Sequence, residues 1–382
     1  MGSPAPLPHT APHLVHGMGT VLEAPVWPAI TAEEAEAVLA RFPAAGRFEG
    51  LLWHSPRPFS AATLVQTNRG EFFLKRHHQQ LRSTAALAEE HAFMAHLRAN
   101  GLTVPEVLAA TDGTGAITHG PWSYELQGKA AGVDLYRDRQ SWTPFLSHAH
   151  AHAAGVALAR LHRAAHGFTA APRPSHPLIA SFTILPATDP MAAAEAYVAA
   201  RPPIAAFLTD KAWRQELARL FAALGNGLAT RSEKQPPLWT HNDWHPSNLL
   251  WSLDGSVSAV FDFGLATQTC ALHDIATAIE RTAIPWLDMG RGLPDAQAAV
   301  ALLAGYRTVL PLTTADVTTI VRLLPLLHVE FALSEIDYFA GILRDPEQAT
   351  LAWKDYLIDH ADWFLSASGR EFLQHLESGA SA

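Results

Sequence analysis

Three oxygen-bearing side chains, Asp243, Asn248 and Asp262, stand in two short motifs. Residues 239–248 read WTHNDWHPSN and residues 260–264 read VFDFG. Phosphoryl transfer to a hydroxyl needs this set of groups. One carboxylate must orient the hydroxyl and accept its proton, and an amide oxygen and a second carboxylate must hold a metal on the nucleotide phosphates. Asp243 fits the first role, and Asn248 and Asp262 fit the second, with Mg²⁺ as the expected ion. Pro246 lies in the turn between Asp243 and Asn248, so both side chains can face the same way. Residues 249–251 and 258–261 read as strands joined at Asp254-Gly255, a hairpin that returns the chain so that Asp262 follows its second strand. Either motif alone is weak, but the pair, in this order with a hairpin-sized gap, is specific. The plain structural alternative is a helix cap at Asp243 and a turn at Asp262.

These motifs must be carried by something, and composition sets the frame. A chain of 382 residues exceeds the usual single domain, and 48% apolar residues suffice for a sizeable core. A formal charge of −9 with no long basic run argues against nucleic acid or an anionic membrane as partner. The single cysteine, Cys270, excludes an internal disulfide and suits a reducing compartment, so a cytoplasmic location is expected. No apolar run reads as a membrane span, and residues 1–10 lack the features of a signal peptide. Residues 1–30, rich in Pro, Gly and His, read as a disordered leader.

A helix over 31–42 opens with Thr31 as cap and Glu33 and Glu34 in its first turn. Strand patterns follow at 48–53, 61–67 and 71–77, then a helix over 83–100, then short strands at 105–109 and 122–126. From 133 onward the pattern is mainly helical: 147–166, 191–200, 204–230, 273–283, 294–309, 314–343 with a break near Pro325, and 346–366. The expected fold is α+β and bilobal. A small antiparallel-sheet lobe with one helix, 31–127, is the nucleotide-binding part. A large, mainly helical lobe, 128–382, carries the catalytic loop and the acceptor site.

The loop HNDWHPSNLL and the later LHDIA (272–276) resemble the aminoglycoside phosphotransferase and choline kinase family of small-molecule kinases, which have a protein-kinase-like fold. Protein kinases share the Asp-to-Asn spacing and the Asp-Phe-Gly, but no Ala-Pro-Glu follows here. The resemblance spans about 45–365 and implies further roles. Lys75 would reach the nucleotide phosphates, with Glu90 as its helical partner. Ser60 and its neighbours in the non-glycine loop 54–62 would touch phosphate. Tyr124, Glu125 and Leu126 would form a hinge whose unpaired strand-edge backbone binds the base of ATP or GTP. His241 and Asp274 would support the loop without doing chemistry.

Glu330, Ser334 and Asp337 recur at helical spacing, either as a solvated face or as the acceptor pocket. With Glu335 they make this stretch acidic, and no Lys or Arg falls between Arg322 and Arg344, which favours a positively charged acceptor. His148 and His152 share a helix face at i, i+4, but no suitably spaced acid accompanies them as a metal site would need. The sequence therefore reads as a kinase for a small, amine-bearing hydroxyl acceptor: an aminoglycoside, an amino alcohol, a homoserine-like amino acid or a sugar. The alternative is a kinase-like protein that binds nucleotide or a partner without catalysis. Retention of Lys75, Asp243, Asn248 and Asp262 speaks against it.

Overall fold

The computed structural model describes residues 13–16, 21–174, 176–288 and 292–381. The chain divides into two compact units, one of residues 1–141 with Leu249–Trp251 and Ser258–Phe261, the other of Trp142–Asn248, Ser252–Val257 and Asp262–Ala382.

The first unit begins with the short antiparallel pair β1 (Val15–His16) and β2 (Leu22–Glu23). Helix α1 (Ala32–Leu39) follows, closed by a capping box in which Thr31 and Glu34 satisfy each other's backbone N–H. The sheet has the order β3 (Phe48–His54), β4 (Ala61–Thr67), β5 (Gly70–His78), β7 (Trp122–Gly128), β6 (Ala116–His119), antiparallel throughout. Helix α2 (Thr84–Ala99) starts at Ser83, whose hydroxyl accepts from Ala86 N–H. It ends before Gly101 at φ +83°, a left-handed stop that suits glycine. Alternating residues of β4 point inward, so Val65 joins Leu74, Leu126, Val38, Leu39, Phe42 and Ile30 in one core.

Three expectations change here. Part of the proposed leader is ordered: Val15 and Ile30 are buried, and Trp27 stacks on His78. Residues 1–12 and 17–20 lie outside the described residues. Residues 105–109 form only an isolated bridge, Val107 to Gln127, because β6, which the sequence pattern did not signal, takes the place beside β7. The strands β9 (Leu249–Trp251) and β10 (Val257–Val260) are tied to the first unit through the Val133–Trp251 bridge and the Val260 N–H to the Thr103 carbonyl at 3.1 Å.

The second unit is built on helices. Helix α3 (His148–Ala165) packs backbone to backbone on α9 (Ala296–Arg307). A Cβ added at Gly155 would lie 1.9 Å from the Leu302 carbonyl oxygen, and one at Gly305 would lie 2.0 Å from that of His152. Between them in sequence come α4 (Pro190–Ala199), α5 (Pro202–Leu208), α6 (Trp213–Leu224), α7 (Leu228–Ser232) and α8 (Ala271–Ala283). The expected single helix over 204–230 is thus three, α6 ending at Gly225. The later run is α10 (Thr314–Leu323), a 3₁₀ turn at Leu324–Leu326 containing Pro325, α11 (Val329–Ile336) and a π-helical turn Asp337–Leu343. Thr314–Leu343 is long and apolar enough to cross a membrane, with mean hydropathy 1.4, but 89% of its most apolar window is buried within the protein. The chain closes with α12 (Pro346–Leu351), a second π turn, α13 (His360–Trp363) and α14 (Ala367–Ser381), the last beyond the reach of the sequence pattern.

Candidate active site

The candidate catalytic loop, residues 241–248, hangs between two strands that the sequence did not reveal. β8 (Pro237–Thr240) delivers His241 to Asn248, and β11 (Thr267–Cys270) leads into α8; the two pair antiparallel, Thr240 opposite Thr267. Both strands are four residues long, too short to show a period of two against their neighbours.

Asp274, in the first turn of α8 and wholly buried, fixes the loop backbone. Its carboxylate accepts the N–H of His241 at 3.0 Å and of Asn242 at 2.8 Å, and pairs with His162 Nε2 at 3.0 Å. The other ring nitrogen of His162 meets the Tyr306 hydroxyl at 2.9 Å. Burial would raise the Asp274 carboxyl, yet His162 and the donated N–H groups outweigh it and hold the carboxyl below its ordinary range. Asn242 takes φ +59°, and its side chain is caged by the hydroxyls of Thr240 and Thr269 at 3.0 and 3.1 Å. That turn aims Asp243 away from the strand. The ring of His241 accepts the Asp243 N–H at 3.2 Å and packs edge-on against Trp244 and Phe263.

Asn248 Nδ2 donates to Asp243 Oδ2 at 3.1 Å and to the Asp243 carbonyl at 2.9 Å, joining the two motif residues. Asp262 stands at φ +62°, a left-handed conformation that a non-glycine residue holds only under local constraint. Arg173 supplies some of it. Its guanidinium donates to the carbonyls of Gly264 at 3.0 Å and Ala266 at 3.1 Å. Arg173 lies in the Pro-rich stretch 167–190, where no sequence pattern marked it. An amide oxygen and a carboxylate on one loop system are hard oxygen donors of the kind Mg²⁺ takes, so Asn248 and Asp262 fit that ion chemically.

The main finding absent from the sequence reading is Arg281, from the last turn of α8. Its guanidinium is in ion-pair contact with Asp243 Oδ1, while His245 Nε2 lies 3.4 Å from the same oxygen. The arginine is almost wholly buried, with its charge 4.9 Å from the centre of the Trp142 ring and 5.1 Å from that of Phe331. Burial pulls it down to about 9, with Glu335 opposing. Beneath it lies a buried polar cluster. Glu280 accepts from His360 Nε2 at 3.0 Å and lies 3.5 Å from His328 Nδ1, and His328 Nε2 lies 3.7 Å from Glu335. Burial opposes the charge on His328, but Glu280 and Glu335 outweigh it and raise the ring to about 9. Glu280 falls to about 2 because its two histidines overcome burial, whereas burial pushes Glu335 up. Arg281 Nε and Nη1, His328 Nε2 and both Glu335 oxygens have no hydrogen-bond partner among the described residues, so the contact of Arg281 with Asp243 is an ion pair without a hydrogen bond. A cavity of about 20 Å³, room for a water molecule, is lined by Asn242, Glu280, Arg281, His328 and Phe331 among others.

The predicted acceptor residues do something else. Glu330 is buried and fully engaged, accepting from Ser181 Oγ at 2.5 Å, Thr183 N–H at 2.7 Å, Thr183 Oγ1 at 3.0 Å and Ile184 N–H at 2.6 Å. Ser334 Oγ accepts the Leu178 N–H at 2.7 Å, and Asp337 lies 3.9 Å from Arg201. This face is neither solvated nor free for a ligand: it clamps the 178–184 segment. Spacing identified the stripe correctly but could not say what it faces. His148 meets Asp295 at 2.8 Å, an acid brought by the cap of α9 rather than by its own helix.

In the first unit, Lys75 is buried on β5 and its Nζ lies 3.9 Å from Glu125 Oε1. Glu125 is wholly buried and held by His77 at 3.2 Å, His91 at 2.7 Å and Gln127 at 2.9 Å. Burial resists its charge, but these partners hold it well below the usual range. Glu90, the expected partner of Lys75, is buried on α2. Tyr124, Glu125 and Leu126 are not a free edge. Their backbone pairs with β5 on one side, Tyr124 and Glu125 pair with β6 on the other, and the Leu126 carbonyl accepts the Leu108 N–H at 2.8 Å. The expected unpaired edge is absent because β6 covers Tyr124 and Glu125 and the Val107–Leu108 segment covers Leu126. Ser60 immediately precedes β4 in a loop fixed by Ser55 N–H to the Ala62 carbonyl at 2.8 Å, and Arg57 donates to the Arg139 carbonyl at 2.8 Å.

The sequence profile of the phosphotransferase enzyme family (APH) matches residues 58–312. A homoserine kinase of Azorhizobium caulinodans is 28% identical over 294 residues, 77% of this chain and 81% of that protein. One of Gluconacetobacter diazotrophicus is 29% identical over 255 residues, 66% of this chain and 70% of that protein. Among solved structures, a microcompartment-associated aminopropanol kinase aligns with TM-score 0.58 at 19% identity over 89% of this chain and 99% of that chain. An amicoumacin kinase in complex with AMP-PNP and Ca²⁺ aligns at 0.56 and 16% identity, covering 91% and 96%.

Proposed function

Because the chain belongs to the phosphotransferase enzyme family, and so phosphorylates a hydroxyl of a small molecule, we propose that it moves the γ-phosphate of ATP to a homoserine-like hydroxy amino acid. The curated relatives it resembles are homoserine kinases. The observation that carries the acceptor class is the pairing of signs beside the base. Arg281, a cation suited to a carboxylate, touches Asp243, and the acids Glu280 and Glu335 lie behind it. This revises the expectation of a purely cationic acceptor, which rested on a helix without arginine. The arginine comes from α8 instead.

Each residue has a task. Asp243 accepts the hydroxyl proton as the oxygen attacks phosphorus. Asn248 and Asp262 would hold Mg²⁺, which when bound neutralises charge on the phosphates. Lys75, beside Glu125, would contact the phosphates, and the loop around Ser60 would lie against them. His241 and Asp274 hold the loop in shape. Most of the catalytic effect is positioning and electrostatics.

A phosphorylation screen of L-homoserine, amino alcohols, neutral sugars and aminoglycosides, with ATP and GTP in parallel, tests the reading. Homoserine or a close hydroxy amino acid is expected to give the highest kcat/KM. Preference for a neutral sugar would overturn the acceptor class, and absence of any transfer with bound ATP would favour the non-catalytic alternative.

A further inference from the structure

Both oxygens of the proton acceptor are already engaged. Asn248 Nδ2 donates to Oδ2 of Asp243 at 3.1 Å, and Arg281 contacts Oδ1. A carboxylate so held is a poor target for an incoming O–H: one oxygen accepts an amide donor and the other lies in ion-pair contact with a guanidinium. The adjoining cavity of about 20 Å³ admits a water molecule but not an amino acid. The Arg281 side chain lines that cavity, its guanidinium lying 4.9 Å from the Trp142 ring centre and 5.1 Å from that of Phe331. One movement of that side chain would both free Oδ1 and enlarge the cavity.

Arg281 is also incompletely satisfied where it sits. Neither its Nε nor its Nη1 finds a hydrogen-bond partner among the described residues, and Nε lies 3.8 Å from Glu280 Oε2. Two donors on one guanidinium edge suit a carboxylate better than does a single contact with Asp243. The acid Glu280 lies beside the guanidinium, and Glu335 favours its charged form against burial.

We infer that Arg281 is an acceptor-released clamp on the catalytic base: it occupies Asp243 until a carboxylate on the acceptor draws the guanidinium away. The clamp rests on the kinase reading above and gives it a control over water. In unwanted ATP hydrolysis a water oxygen bonds to the γ-phosphorus, the bond to the β,γ-bridging oxygen breaks, ADP leaves, and the water's proton passes to Asp243. A clamped Asp243 cannot take that proton. An acceptor carrying a carboxylate unmasks the base at the moment its own hydroxyl is present.

The test uses the full chain with Mg²⁺ and ATP. Without acceptor, Arg281→Gln should hydrolyse ATP about ten-fold faster than wild type, a fraction of what a positioned base contributes. Its KM for homoserine should rise about 100-fold while its KM for ATP stays put. Arg281→Lys, which keeps the charge without the forked edge, should fall between and serves if the glutamine variant does not fold. Hydrolysis unchanged or slowed in a variant that binds ATP normally would overturn the clamp. A second measurement does not depend on the reaction. Melting shifts of Asp243→Asn, Arg281→Gln and the double variant should be non-additive, and simple additivity would overturn the contact itself. If wild type transfers phosphate to nothing, the kinase reading falls while the melting cycle still decides the clamp.

Discussion

Asp243, the proposed proton acceptor, touches Asn248, Arg281 and His245, more partners than proton transfer alone would require. Asp243→Asn keeps the hydrogen bond from Asn248 Nδ2 but cannot take a proton. We expect turnover to drop about 10²–10⁴-fold, with nucleotide binding retained in calorimetry; near-normal turnover in the folded variant would remove Asp243 from the chemistry. The cluster below it predicts a pH effect. His328 is raised from 6.5 to about 9 by Glu280 and Glu335 against burial, with His360 and Arg281 also close to Glu280. A raised histidine stabilises the fold fully below its unfolded value near 6.5, and that stability is lost as pH climbs through 9. The fall should amount to about 3 kcal/mol at most. Urea unfolding between pH 6 and 9.5 should show the decline in wild type and a flatter profile in His328→Asn. Equal slopes would mean that the ring is not charged in the folded protein. None of this cluster was legible in sequence, since Glu280, His328, Glu335 and His360 are scattered over three helices. Their meeting is a matter of packing, not of spacing.

At the scale of elements, the reading succeeded where local chemistry decides. Thr31 with Glu34, Ser83 and Ser147 start their helices as their side chains dictate, and Pro325 breaks the late helical run. It failed at β6, β8 and β11, each four residues long, which persist because neighbouring strands complete their hydrogen bonds. It also missed the close approach of α3 and α9, since Gly155 and Gly305 read as ordinary glycines in helical stretches. Adding a methyl at either would place it within 2.0 Å of a facing carbonyl oxygen. Gly155→Ala or Gly305→Ala should therefore cost about 1–3 kcal/mol, despite alanine's better helix propensity. Chemical denaturation giving an unchanged or raised midpoint would show that the helices can part freely. A related cost is expected for Asp274→Ala, which strands the N–H groups of His241 and Asn242 and the ring of His162. Loss of about 2–4 kcal/mol, with kcat lowered through the displaced loop, is the expected outcome.

For the molecule as a whole, ligand linkage offers the broadest check. ATP with Mg²⁺ at a hundredfold excess over Kd should stabilise the protein by about 2.7 kcal/mol. Asp262→Ala should abolish the Mg²⁺-dependent part of the thermal shift, and an undiminished shift would take Asp262 out of the metal site. The two-part division also belongs to this scale. Strands β9 and β10 follow the loop 241–248 in sequence, yet Leu249–Trp251 and Ser258–Phe261 group with the first unit, where Trp251 pairs with Val133 and Val260 with Thr103. By itself the sequence determined the α+β class and the phosphotransferase family, and it singled out Asp243, Asn248 and Asp262 as candidates, because phosphoryl transfer demands particular groups at short range along the chain, and short-range order is written in consecutive residues. Only the tertiary structure decided which charges face that loop. It turned Glu330 from a candidate ligand into a brace, covered the edge of β7 with β6, and brought Arg281 onto Asp243. Such contacts join residues far apart in the chain, and burial and packing, which no local pattern encodes, select among them.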